Sequence, residues 1–103
     1  MKKTETSEKV FEREMSKEVE RVGGMAVKLL SQFINGLPDR LYLLPGGTAV
    51  FVEFKSTGKK PTVLQGLVMQ RIKRLGFEVH VVSNVGEYYT VLNHIGLLII
   101  NGR

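Results

Sequence analysis

The chain contains no cysteine, which excludes disulfides and thiolate metal sites. Its two histidines, His80 and His94, lie in different segments, so a zinc site would need carboxylates as well. No apolar run approaches the roughly 20 residues of a membrane span. The N-terminus is charged and polar, without the apolar core of a signal peptide. Internal repeats, linkers and low-complexity tracts are absent. Pro45-Gly46-Gly47 lacks the lysine and the following helix of a phosphate-binding loop. These absences lead us to expect a soluble, cytoplasmic protein with no membrane partner.

What is present is a chain of 103 residues, 43% of them hydrophobic, enough for one domain (1–103) with one small core. The formal net charge of +5 favours a polyanionic partner, nucleic acid first. A solvated basic surface would give the same charge, and charge alone does not separate the two.

From about Thr6 to Val22, Phe11, Met15, Val19 and Val22 recur on one helical face. Thr6 or Ser7 is placed to cap this helix, and Gly23-Gly24 ends it, one of the pair in a left-handed conformation. Met25 to Phe33 reads as a strand, interrupted by Lys28, with a turn signal at Asn35-Gly36. Leu37–Leu44 and Thr48–Lys55 read as two strands joined by the tight turn Pro45-Gly46-Gly47, hence an antiparallel hairpin. Thr62 opens a second helix with Leu64, Leu67, Val68, Ile72 and Leu75 as its buried face, stopped by Gly76. Glu78–Val82 reads as a strand, Asn84 as the cap of a short third helix, and Leu97–Ile100 as a final apolar strand. The expected order is α-β-β-β-α-β-α-β. The crossover through the second helix makes the strands on either side of it parallel, so a mixed sheet flanked by helices follows. The apolar run LLII near the end is expected to be buried, in the sheet or against another subunit.

The chemistry concentrates between Gly36 and Lys55, GLPDRLYLLPGGTAVFVEFK. Glu53 and Lys55 are two apart on a strand and share a face, with Phe54 pointing the other way into apolar packing. A lone Glu-x-Lys is usually a surface ion pair. With Pro-Asp-Arg across the hairpin, Asp39 joins Glu53, and two carboxylates with a lysine make a metal-dependent phosphodiesterase site. Mg²⁺ binds through one or two carboxylates together with phosphate oxygens and water. Asp39 and Glu53 are the metal ligands read here, with the Phe54 carbonyl as a backbone oxygen. Lys55 is placed to orient the attacking water or to steady charge on phosphorus.

Around these, Gln65 is three residues after Thr62, the spacing of a capping box; it either caps the helix, faces the metal site, or does both. On the first helix the apolar stripe spans roughly 0–80° from Phe11, with Glu8 inside it at about 60° and Glu12 on its edge at about 100°. A carboxylate aimed at the core is costly unless paired or on a metal, so Glu8 is the preferred third acid and Glu12 its substitute. Lys28 either reaches solvent or contacts phosphate. Arg40 should point away from Asp39, towards an ion pair or a phosphate. Lys59 and Lys60 lie in the loop beside the site and are phosphate-contact candidates, as are Arg71, Lys73 and Arg74 unless they form a solvated helix face. His80 and His94 read as structural rather than catalytic. Tyr88-Tyr89 is better explained by core packing than by base stacking.

Taken in order, SEKVFE in the first helix, GLPDR, LPGG, FVEFK and KKPTVLQ resemble the virus-type replication-repair nuclease (VRR-NUC) domain, a branch of the PD-(D/E)xK superfamily. Val79 to Val82 after Gly76 fits the strand that follows, so the likeness covers nearly the whole chain. The pieces are weak singly and specific in this order and spacing. The resemblance implies a restriction-endonuclease-like α/β fold, Mg²⁺ or Mn²⁺ on Asp39 and Glu53, Lys55 as the catalytic lysine and Gln65 as a site residue. It also implies a helix-1 glutamate, its E-x-x-I spacing falling on Glu8-Lys9-Val10-Phe11, where Phe11 replaces the usual aliphatic. Stand-alone members belong to phages and bacteria and are similar to Holliday-junction resolvases, which act as homodimers.

The function expected is therefore a metal-dependent DNA endonuclease, structure-selective for branched DNA in replication, repair or recombination, in the cytoplasm of a bacterium or a phage-infected cell. The alternatives are a non-catalytic nucleic-acid-binding module of the same fold, which the intact Asp39…Glu53-x-Lys55 set argues against, and a structural subunit docking through LLII.

Overall fold

The computed structural model describes residues 6–30 and 34–102. The elements run α1 (Ser7–Arg21), β1 (Met25–Lys28), β2 (Arg40–Leu44), β3 (Thr48–Phe54), α2 (Val63–Arg74), β4 (Glu78–Val82) and α3 (Val85–Asn101). The four strands form one mixed sheet in the order β1-β2-β3-β4. β1 and β2 are antiparallel, as are β2 and β3, and β3 runs parallel to β4. The Pro45-Gly46-Gly47 turn closes the hairpin, with Leu44 opposite Thr48. Both of its glycines take positive φ, 95° and 90°, where a side chain would be strained. Gly23, at φ 93°, is the left-handed residue that ends α1.

Strand alternation decides which helix covers which face. Arg40 pairs with Val52 and Tyr42 with Val50, and Val50, Val52 and Phe54 pair with Glu78, His80 and Val82. These residues share one face. Tyr42, Leu44, Val50, Val52, Phe54 and Val82 meet Met15 and Val19 of α1 and Tyr88, Val91, Ile95 and Ile99 of α3 in a single core. A buried hydrogen bond of 2.9 Å between Ser16 and Tyr42 fixes α1 on β2. Tyr88 is buried and stacks on Phe11 at 5.6 Å, while Tyr89 is exposed. The other face carries Glu53 and Val79, and α2 lies over it.

Three expectations are corrected. First, Leu97–Ile100 is helical, so the order ends β-α rather than with a fifth strand. Tyr88, Val91, Ile95 and Ile99 make one continuous buried stripe at helical spacing, and Gly96 is carried inside the helix rather than breaking it. The run LLII is split by that stripe: Ile99 is buried while Leu97 and Ile100 are exposed. Second, the strand beginning at Met25 ends at Lys28, with Leu29 and Leu30 outside it; the rest of the expected strand, 31–33, lies outside the described residues, as does the polar start 1–5. Third, α2 buries Met69, with Gln65, Val68 and Ile72 half-buried, and leaves Leu64, Leu67 and Leu75 exposed. The helix covers the sheet along a narrower stripe than its apolar residues span.

Candidate active site

The site forms where β3 ends, β2 begins and the first turns of α1 and α2 meet. Glu53 alternates with Val52 and Phe54, so it points to the α2 face and is 1% exposed. Gln65 faces it from the first turn of α2. The helix start is a complete capping box: Thr62 Oγ1 accepts from the Gln65 amide (3.1 Å), and Gln65 Oε1 accepts from the Thr62 amide (2.9 Å). The remaining end of the same side chain, Nε2, donates to Glu53 Oε2 at 3.0 Å. Gln65 therefore caps the helix and grips the carboxylate together. Lys55 Nζ lies 2.9 Å from the same Oε2, and the Lys55 backbone amide donates to Val82 O, which holds the chain against β4 as it leaves the strand.

Asp39 precedes β2 and reaches across to β3, where its Oδ2 accepts from the Phe54 amide at 2.7 Å. Its own carbonyl accepts from the Leu29 amide. Burial pushes the Asp39 carboxyl above its ordinary range; the Phe54 amide opposes this and the charge on Glu12 adds to it. Burial raises Glu53 too, against the Lys55 hydrogen bond and with the help of the Asp39 charge. Two carboxylates thus repel one another in a desolvated place, with Lys55 paired to Glu53. Glu53 Oε1 is buried and has no hydrogen-bond partner among the described residues. An orphaned buried acceptor is costly. Two carboxylates with a single ion-paired lysine offer an all-oxygen donor set that fits a hard dication of the Mg²⁺ type, with Asp39 and Glu53 as its holders.

The first helix sends its acids to different places. Glu8 lines a shallow pocket of about 410 Å³ with Thr6, Lys55, Ser56, Lys59 and Lys60. Ser7 Oγ accepts from the Thr57 amide at 3.2 Å, tying the loop after β3 to the start of α1. Glu12 lies on the α1 face, where its Oε2 takes both Lys28 Nζ (2.8 Å) and Arg40 Nε (2.7 Å). Burial works to raise its pKa, but the Lys28 and Arg40 hydrogen bonds outweigh that and hold it below the ordinary range. Arg40 points away from Asp39, as alternation requires. Of the phosphate-contact candidates, Lys28 and Arg40 are therefore already ion-paired, whereas Lys59 and Lys60 are exposed beside Glu8 and Lys55.

The structure brings Asp39, Glu53, Lys55 and Gln65 together, sets Glu8 beside Lys55, and separates Glu12 with Lys28 and Arg40. The sequence reading missed the Ser7–Thr57 tie and the convergence of His80 and His94 on Glu78. The Glu-x-His spacing at 78–80 was the available signal for the second.

No protein-family model matches the chain. A curated phage protein, "Putative nuclease p44" of Acyrthosiphon pisum secondary endosymbiont phage 1, is 40% identical over 74 residues, which are 72% of this chain and 80% of the relative. A solved structure described as "VRR_NUC domain" superposes with a TM-score of 0.79 at 30% identity, covering 87% of this chain and 98% of that one. Both likenesses extend over most of a fold whose hairpin sets Asp39, Glu53 and Lys55 side by side, and the chain belongs to the VRR-NUC nuclease family.

Proposed function

We propose that this protein is a Mg²⁺-dependent DNA endonuclease, with Mn²⁺ able to substitute, that hydrolyses phosphodiester bonds in branched DNA as a homodimer. The observation that carries the reading is the buried Glu53 carboxylate, whose Oε1 has no hydrogen-bond partner among the described residues while Lys55 and Gln65 hold its Oε2. The bound dication supplies charge stabilisation at the scissile phosphate and a more acidic water. Asp39 and Glu53 hold it, with the Phe54 carbonyl as the backbone ligand.

The remaining residues position and neutralise. Lys55 orients the attacking water and offsets charge developing on phosphorus. Gln65 fixes the Glu53 carboxylate from a rigid helix start, and the Phe54 amide does the same for Asp39. Glu8 completes the acidic set from α1. Lys59 and Lys60 bind the phosphate backbone beside the cut, while Lys28 and Arg40 reach it only by leaving Glu12.

The branched-DNA preference rests on the family's resemblance to junction resolvases. Pairing of copies is favoured by the open apolar side of α2, where Val63, Leu64, Leu67 and Leu75 are exposed. No helix among the described residues is long and apolar enough to cross a membrane, and the reading places the enzyme in the cytoplasm of a bacterium or an infected cell.

Incubating the protein with labelled four-way junction, flap and plain duplex DNA, in Mg²⁺ or in EDTA, tests this. Junction cleavage in Mg²⁺ alone is expected. Binding without cleavage would make the protein a non-catalytic DNA-binding module, and equal cutting of every duplex would remove the branched preference.

A further inference from the structure

The sheet face away from Glu53 carries a second convergence of metal-binding side chains. Glu78 and His80 are two apart on β4 and share the face that α3 covers; their β3 partners Val50 and Val52 are core residues. α3 brings His94 over them. Glu78 Oε1 lies 3.1 Å from His80 Nε2 and 2.5 Å from His94 Nε2. The three ligand atoms all fall within 4.8 Å of one another, the one place among the described residues where three acidic or histidine side chains do so. The two imidazoles meet at 5.4 Å and 65°, edge to face, so both Nε2 atoms can face one point without the rings overlapping.

Two imidazole nitrogens and one carboxylate oxygen are a poor set for Mg²⁺, which takes oxygen. They suit a later first-row dication, and a three-ligand set with a fourth place left for water is a zinc arrangement. With metal–ligand bonds of about 2.0–2.2 Å, tetrahedral neighbours stand about 3.3–3.6 Å apart. The Glu78–His80 separation is already near that. The Glu78–His94 contact would open by about 1 Å, and side chains that are 35% and 39% exposed have room to do so.

We propose that Glu78, His80 and His94 form a Zn²⁺ site, distinct from the nuclease centre, that clamps the terminal helix α3 to the edge strand β4. The two sites lie on opposite faces of the sheet. Glu78 is three residues before Val81, the partner of Glu53, or about 10 Å along the strand. A ligand set assembled from β4 and α3 exists only in the folded chain, so the metal stabilises that packing by mass action.

The chain has two histidines and both are in the cluster, so imidazole NMR signals report on this site alone. Titrating the untagged protein with Zn²⁺ should shift both histidines, saturate the histidine shifts at one equivalent and raise the thermal midpoint, whereas Mg²⁺ at the same concentration should leave both histidine signals unmoved. His80→Gln and His94→Gln should each weaken zinc binding by at least about tenfold and abolish the rise in midpoint. Histidine signals of which one or neither responds to zinc, or an affinity unchanged in both variants, would overturn the site. The NMR result comes from the unmodified chain and does not depend on the variants folding.

Discussion

The sheet carries carboxylates on both faces near β2, and the two sides are balanced in opposite ways. On the α1 face, one carboxylate oxygen of Glu12 holds two cations, Lys28 and Arg40. On the α2 face, one lysine, Lys55, is ion-paired with Glu53, and Glu53 keeps an oxygen with no partner among the described residues. Glu12 and Glu53 are both poorly exposed, with 14% and 2% of their side-chain surface open, yet the first is held below the ordinary carboxylate range and the second above it. Burial pushes both upward; Lys28 and Arg40 together outweigh it at Glu12, and Lys55 does not outweigh it at the more deeply buried Glu53. A cluster that is neutralised when folded acts as a tie between α1, β1 and β2. A cluster short of positive charge fits a dication in both charge and donor type.

The comparison is most sharply tested by removing single members. Asp39→Ala, Glu53→Ala and Lys55→Ala are each expected to lower Mg²⁺-dependent cleavage by at least about 100-fold, measured on a labelled junction, with the circular dichroism spectrum unchanged. Cleavage by Glu53→Ala at the unmodified rate would break the mechanism. Glu12→Gln should do the reverse: it leaves Arg40 with an uncompensated charge, lowers stability by about 1–3 kcal/mol in denaturant unfolding, and retains cleavage. A folded Glu12→Gln protein that does not cut would instead make Glu12, not Glu8, the acid that α1 supplies.

A pH series sharpens the contrast. Asp39 and Glu53 bind their protons more tightly folded than unfolded. Their contribution to stability is thus fully present below the ordinary carboxylate range and lost as pH rises through their raised values. Glu12, being lowered, contributes above the ordinary range and loses that as pH falls through its own value. Apo stability should therefore decline as pH rises through the raised pKa values of Asp39 and Glu53, and saturating Mg²⁺ should remove the decline. A decline that persists with metal would mean that the pair is not the metal's holder. The smallest effect expected is from Thr62→Ala, which removes half of the capping box and should cost about 1 kcal/mol in the same unfolding measurement. It should also weaken Mg²⁺ binding through the loosened Gln65, read by calorimetry.

Much of this was legible in the chain. The hairpin followed from Pro45-Gly46-Gly47 between two apolar runs, the parallel β3–β4 pair from the intervening helix, and the shared face of Glu53 and Lys55 from a period of two. Asn84 caps α3 as its residue type suggests, accepting from the Glu87 amide. The burial of the α2 stripe and the state of Leu97–Ile100 were not legible. An apolar residue is equally compatible with a core and with an open face, and a short apolar run fits a strand or a helix until its neighbours are known.

By itself the sequence determined the order of elements from α1 to β4 and the alternation that puts Asp39, Glu53 and Lys55 on one side of a hairpin, because these depend on short local patterns. Only the tertiary structure decided which acid on α1 met which cation, that Gln65 both caps α2 and holds Glu53, and that Glu78, His80 and His94 converge. Those outcomes depend on how separate elements dock, and angular positions of about 60° and 100° on one helix cannot say which strand lies beneath it.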